Sequence, residues 1–244
     1  MKVKLTLEYD GTDFSGWQAQ LRQRTVQGTL EAALYRLVGQ EVRVEGAGRT
    51  DAGAHALGQV ASLKLETTIP AGRLAQALNP LLPGDVRVLR SEAVDEDFHA
   101  RFSATGKVYR YVILPRDAQS PLHRHRAWQI STKVDVGRIA AALPLLVGTH
   151  DFRAFCAANG SAATTVRTIR EAKITTEGDF VAIEFCGNGF LYHMVRIMMG
   201  ALVAVGRGKV DPSAITGALR SGCRPLAFIT APAHGLYLVA VEYS

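Results

Sequence analysis
The sequence predicts an α+β protein of two halves, each in the β-α-β-β-α-β order of ferredoxin-like sheets. Residues 2–9 alternate apolar and polar, the period of a half-buried strand. Residues 26–38 carry apolar side chains at helical spacing, and a second strand–helix succession of the same kind begins after residue 100. Two copies of one supersecondary unit imply a pseudo-twofold molecule with a central cleft between its sheets. The expected halves are residues 1–100 and 101–244.

Each element follows from a local pattern. Val3, Leu5, Leu7 and Tyr9 alternate with Lys2, Lys4, Thr6 and Glu8 to make the first strand. Val26, Leu30, Ala33, Leu34, Leu37 and Val38 make a helix, with Thr25 placed to cap it and Gly39 to stop it. Val42 and Val44 mark a strand running into a glycine-rich loop, and Ala61, Leu63 and Leu65 mark a strand leaving it. Pro70 opens a helix carrying Leu74, Leu78 and Leu81, and Val86 and Val88 mark the last strand of this half. In the second half, strands are expected at 106–114, 167–176, 180–186 and 236–243, and helices at 135–147 and 189–206. A further helix starts near Asp211-Pro212, an N-cap followed by a proline in the first turn.

With 244 residues, 48% hydrophobic and 20% charged, the chain has the composition of a globular protein rather than a disordered one. Its net charge of +6 permits a polyanionic partner such as RNA. Cys156, Cys186 and Cys223 are odd in number and widely spaced, which argues against a disulfide framework or a zinc site and for reduced thiols. Met1-Lys2-Val3-Lys4-Leu5 lacks the apolar core of a signal peptide. The most apolar stretch, 189–206, is interrupted by His193 and Arg196 and is a poor membrane span. A cytoplasmic protein without a membrane partner is expected.

The chemistry-bearing stretch is 46–56, Gly-Ala-Gly-Arg-Thr-Asp-Ala-Gly-Ala-His-Ala. It puts Asp51 two residues after Arg49 among small residues, where glycines let a ligand come close. A carboxylate there is reachable by substrate, and a nearby guanidinium favours its ionised form. Those are the requirements of a nucleophile or base, with no metal-ligand set in view. The same residues also suit a plain turn with an Asx cap and a surface ion pair.

Gly48-Arg49-Thr50-Asp51-Ala52-Gly53-Ala54-His55-Ala56 resembles the signature of the TruA-type tRNA pseudouridine synthases. Other segments resemble that family in matching order: Tyr9 to Gln18, Ala100 to Ala104 leading to Lys107-Val108-Tyr109-Arg110-Tyr111, and Gly148 to Phe152. Asn188 to Arg196 and Gly235-Leu236-Tyr237-Leu238 complete the series. The resemblance spans nearly the whole chain. Ala54 departs from it, standing where a branched aliphatic residue is expected.

The resemblance implies an isomerase that acts without a cofactor on uridines 38, 39 and 40 in the anticodon arm of tRNA, as a homodimer. It implies that Arg196 pairs with Asp51 to hold it ionised and aimed, with Arg49 doing the same or contacting phosphate. It implies that Tyr109 stacks on the target base, that Leu236 floors the pocket, and that these groups converge across the cleft. Whether Asp51 attacks the sugar, adds to the base or removes a ribose proton stays open at this level. Each residue also has a plainer reading: a snorkelling stem for Arg196, cross-strand packing for Tyr109, and core packing for Tyr111.

Phosphate contacts are expected from Arg22 and Arg24, ahead of the first helix, and from His123-Arg124-His125-Arg126, with Arg167 and Arg170 as weaker candidates. His55, His193, Asp10, Asp13 and His150-Asp151 read as structural. Two other classes compete with the isomerase. A two-sheet RNA-binding protein would show an RNP-type aromatic motif, and none is present. A carboxylate-dependent hydrolase would pair Asp51 with a second acid, and none stands out nearby.

Overall fold
A computed structural model describes residues 1–158, 160 and 162–244. The chain is a mixed α+β protein of two compact units, Met1–Thr105 with Tyr237–Ser244, and Gly106–Leu236.

In the first unit, β1 (Lys2–Tyr9), α1 (Val26–Val38), β2 (Val44–Gly46), β3 (His55–Lys64), α2 (Leu74–Leu78) and β4 (Val86–Ala93) follow one another. β1 is the centre of an antiparallel trio, with Leu5 opposite Ala61 of β3 and Ser91 of β4. Its apolar residues Val3, Leu5, Leu7 and Tyr9 are buried, as are Leu30 and Leu34 of α1. Both ends of α1 lie where the capping pattern puts them. Thr25 Oγ1 accepts from Gly28 N at 3.2 Å, and Gly39 closes the helix at φ 73° with its N–H on the Tyr35 carbonyl.

Two elements of this unit differ from expectation. The helix after Pro70 has only five α-helical residues, between 3-10 turns at Ala71–Arg73 and Asn79–Leu81. Pro80 cannot donate to a continuing helix. Asn79 turns instead to β4, its side chain donating to Val88 O and accepting from Val88 N, both at 2.9 Å. β3 starts at His55, well before Ala61, because both of its faces are covered and its pattern is not the alternation of a half-buried strand. On one face Val60 joins Ala47 and Ala100, with Phe98, Val241 and Tyr243 packed against them.

In the second unit, β5 (Ala104–Pro115), β6 (Trp128–Ile130), α3 (Val136–Ala142), β7 (Gly148–Asp151), β8 (Val166–Glu177), β9 (Phe180–Gly187), α4 (Met194–Gly206) and α5 (Ser213–Ser221) follow in order. β5, β9, β8 and β7 pair antiparallel in that sequence, and β6 lies parallel to the end of β5. The short strands β6 and β7 fall outside the expected set, being too brief to show a period. α4 begins at Met194 rather than near residue 189, because His193 sits in the left-handed region at φ 59° and cannot continue a helix. Asp211 caps α5, its carboxylate accepting from Ser213 N at 2.9 Å.

The last strand, β10 (Leu236–Tyr243), is where expected. The pattern assigns it to the second half, yet Tyr237 and Leu238 lie parallel to His55 and Ala56 of β3 in the first unit. Alternation identifies a strand but carries no information about its partner.

Candidate active site
In the first unit, Asp51 sits half-buried on the loop between β2 and β3, one residue beyond buried Thr50 and two beyond exposed Arg49. The Tyr9–Gln18 segment wraps this loop. Trp17 N donates to Thr50 O at 3.1 Å, and Gly53 N donates to Phe14 O at 3.3 Å. Glycine is required twice at this seam. A Cβ at Gly11 would run into the Ala54 carbonyl, and one at Gly16, where φ is 91°, would lie 2.7 Å from Thr50 O. Two segments far apart in sequence thus make one tight structure around the carboxylate.

Beneath the loop lies a buried polar chain. Gln59, on β3, is fully buried and donates through Nε2 to Gly48 O at 2.9 Å and to Tyr9 Oη at 3.4 Å. Tyr9 Oη lies 2.8 Å from Thr50 Oγ1. Burial pushes the Tyr9 phenol up to about 12, against the pull of its Thr50 and Gln59 hydrogen bonds, so it stays protonated at neutral pH. At the far end of the loop, His55 Nδ1 accepts from Gly11 N at 3.1 Å, and its ring stacks on Tyr237 at 4.7 Å. That bond makes Nδ1 an acceptor, so its 3.1 Å approach to Asp10 Oδ1 is not read as an ion pair. His55 is a packing residue, as expected. Asp10 closes a turn by accepting from Thr12 N.

In the second unit, Tyr109 on β5 is 7% exposed, its ring 4.9 Å from Phe190 in an edge-on arrangement. Its neighbour on the same face, Tyr111, is fully buried and donates to Pro232 O at 2.7 Å. Burial raises the Tyr111 phenol strongly, opposed by the charge of Arg196, which fits the core role expected for it. Arg196, on α4, is anchored rather than lying along an apolar face: its Nε donates to Ala231 O at 2.7 Å. Its carbonyl accepts from Ala231 N at 3.1 Å. Leu236 is buried at the start of β10, and Leu238 more completely so.

The candidate phosphate contacts differ among themselves. Arg22 is exposed and holds a left-handed backbone at φ 60°. Arg24 makes a two-pronged pair with Asp85 at 2.7 and 2.9 Å and stands 4.1 Å over the Phe14 ring. Arg124, His125 and Arg126 are exposed, whereas His123 packs edge-on against Phe180. Arg167 is half-buried and bonded to the carbonyls of Thr164 and Val166, and Arg170 donates to Cys186 Sγ at 3.1 Å.

Comparison with known proteins identifies the family. A family model described as tRNA pseudouridine synthase matches residues 6–103 and 142–244. The chain belongs to that family. Its relatives named tRNA pseudouridine synthase A include one from Acetivibrio thermocellus, 47% identical over 241 residues, and one from Thermoanaerobacter sp., 45% identical over 241 residues. In both cases the match covers 99% of each chain. A third, from Lacticaseibacillus casei, is 46% identical over 243 residues and 98% of each chain. A chain from the crystal structure of a Cbf5-Nop10-Gar1 complex aligns over 82% of this chain and 54% of its own, at TM-score 0.36 and 12% identity. The TruA-type resemblance is therefore borne out, and the protein is an isomerase that acts on tRNA.

Within this tRNA pseudouridine synthase, several groups around the candidate site went unnoticed in the sequence. Gln59 shares a strand face with Ala61 and Leu63, so alternation alone would have flagged a buried amide there. Phe190 lies inside the Asn188–Arg196 segment, but nothing local says that its ring meets Tyr109. His234 is half-buried, and its imidazole is pushed down by burial and by His125 and Arg196, partly offset by a hydrogen bond to the Ala127 backbone. Among the described residues, no group of three His, Cys, Asp or Glu side chains is arranged to hold a metal ion, and no helix is long and apolar enough to cross a membrane. None of Cys156, Cys186 and Cys223 is in a disulfide.

Proposed function
We propose that this synthase converts uridines 38, 39 and 40 of the tRNA anticodon arm to pseudouridine, with Asp51 as the catalytic nucleophile. The reading rests on one observation above the others. Asp51 is a half-buried carboxylate on a Gly-Arg-Thr-Asp loop bonded on one side to the Tyr9–Gln18 segment and on the other to Gln59 and Tyr9. That is how a reacting group is held in aim while remaining accessible.

The reaction breaks the bond from N1 to the ribose, turns the uracil and joins C5 to the same ribose carbon. C5 loses a proton and N1 gains one, so the base is isomerised with no net redox change and nothing for a cofactor to carry. Tyr109 stacks on the base, a contact that tolerates rotation about the ring normal where fixed hydrogen bonds would resist it. Arg196 pairs with the Asp51 carboxylate and aims it, Arg49 does the same or contacts phosphate, and Leu236 supplies the apolar floor. The target nucleotide must leave its stack, at a cost of a few kcal/mol, and Arg22 and Arg24 offset part of this through phosphate contacts. The working form is a cytoplasmic homodimer, each subunit built of two ferredoxin-like halves.

The test replaces Asp51 with Asn and with Ala, measuring tRNA binding and pseudouridine formation on the folded protein. Retained binding with no product is the expected result. Substantial turnover by either variant rejects Asp51 as the nucleophile, and lost binding by folded protein assigns it to the RNA interface. Chelators are expected to leave activity intact, and inhibition reversed by added metal contradicts the cofactor-free route.

A further inference from the structure
On the reading that Asp51 is the reacting carboxylate, we propose that Gln59 is a positioning residue that locks the Gly48–Asp51 backbone through a donor chain running by way of Tyr9 to Thr50. A fully buried glutamine on a strand is costly unless both ends of its amide are satisfied, and an apolar residue of similar bulk would fill the site without that demand. Both ends are satisfied in a single orientation. Oε1 accepts from Val60 N at 3.1 Å, which turns Nε2 toward the loop, where it donates to Gly48 O at 2.9 Å. Nε2 also reaches Tyr9 Oη, leaving the phenol proton available for Thr50 Oγ1 at 2.8 Å.

The chain therefore ties down the residue before Arg49 and the residue before Asp51 from one point on β3. Apolar packing can fill space beneath a loop, but it does not fix the rotation of a peptide plane. Directional bonds to a carbonyl and a hydroxyl on either side of Arg49 do. The carboxylate one residue further on inherits that geometry. Tyr9 and Thr50 are themselves buried, so water does not compete for these bonds.

The experiment compares Gln59→Met, which keeps bulk and removes the donor, with Thr50→Val and Thr50→Ser in the full chain. It reads single-turnover tritium release from C5-labelled uridine in tRNA, tRNA binding and melting temperature. Gln59→Met should slow turnover about 10- to 100-fold, the range in which ångström-scale misplacement acts, with tRNA affinity unchanged within about twofold. Thr50→Val should show a comparable fall, and Thr50→Ser, which restores the hydroxyl, should recover most of the rate. A wild-type rate in folded Gln59→Met, with only the melting temperature lowered, overturns the proposal. Should Gln59→Met not fold, equal rates for Thr50→Val and Thr50→Ser overturn it. Asp51→Asn is assayed alongside: its activity would reject the nucleophile assignment, whereas its inactivity beside a fully active Gln59→Met rejects the lock alone.

Discussion
Around Asp51, the supporting contacts are hydrogen bonds. Gln59, Tyr9 and Thr50 form a buried polar chain below the loop, and backbone bonds from Trp17 and Gly53 close it from the side. At Tyr109, aromatic rings frame the side chain: Phe190 meets the ring edge-on, and fully buried Phe185 is its partner across the strand pair. The contrast matches the two tasks proposed. A carboxylate must be aimed, which calls for directional bonds, whereas a base that must turn in place calls for a smooth surface without them.

The largest effect expected from this contrast is at Asp51. Asp51→Asn keeps the shape of the side chain but removes its charge and exchanges one acceptor oxygen for an NH2 donor, and turnover should fall by at least about 10,000-fold, the scale on which loss of a nucleophile acts. Next comes Tyr109. Tyr109→Leu should lower kcat/KM about 10- to 100-fold, since stacking contributes roughly 1–3 kcal/mol per base. Tyr109→Phe should retain most activity if the ring face alone matters. A fall as deep as that of Tyr109→Leu would assign the hydroxyl a chemical step and erase the contrast.

How far these regions could be read in advance differs for a physical reason. The ends of α1 were legible because Thr25 and Gly39 act within one turn of the residues they cap. The start of α4 was not, because histidine enters the left-handed region only in a small minority of cases and no neighbouring residue marks His193 as one of them. β10 was legible as a strand, but its pairing with His55 and Ala56 joins opposite ends of the chain. The Asp51 motif was readable as a motif, yet the wrap by Tyr9–Gln18 and the lock from Gln59 are non-local and emerge only from β1–β3 pairing. The same pairing explains Tyr9, which reads as one more apolar strand position until its hydroxyl is seen to meet Thr50.

A smaller effect separates the two arginines ahead of α1. Arg24 would have to leave Asp85 and the Phe14 ring to take a phosphate, whereas Arg22 has an exposed side chain. Arg22→Gly should therefore raise KM for tRNA more than Arg24→Gln and reduce the slope of log affinity against log salt by about 0.7–0.9, the value for one lost contact. Glycine also relieves the left-handed backbone at residue 22, so the melting temperature should hold or rise. Equal salt slopes for wild type and Arg22→Gly would remove this residue from the RNA interface.

The smallest effect concerns pH and sets His234 apart from both regions. Burial, then the charges of His125 and Arg196, hold its imidazole below the ordinary value of 6.5, with the Ala127 hydrogen bond opposing them. Above that value folded and unfolded chains both carry a neutral ring, and the group has no influence on stability. As pH falls below 6.5 the unfolded chain takes up the proton first, so stability is lost progressively down to the depressed folded value. His234→Gln cannot titrate, and its melting temperature should decline less than that of wild type between pH 6.5 and 5, while the two profiles run parallel above pH 7. An identical acid limb in both proteins would mean that the ring gains its proton equally easily folded and unfolded. Neither burial nor the charges of His125 and Arg196 would then be felt at His234.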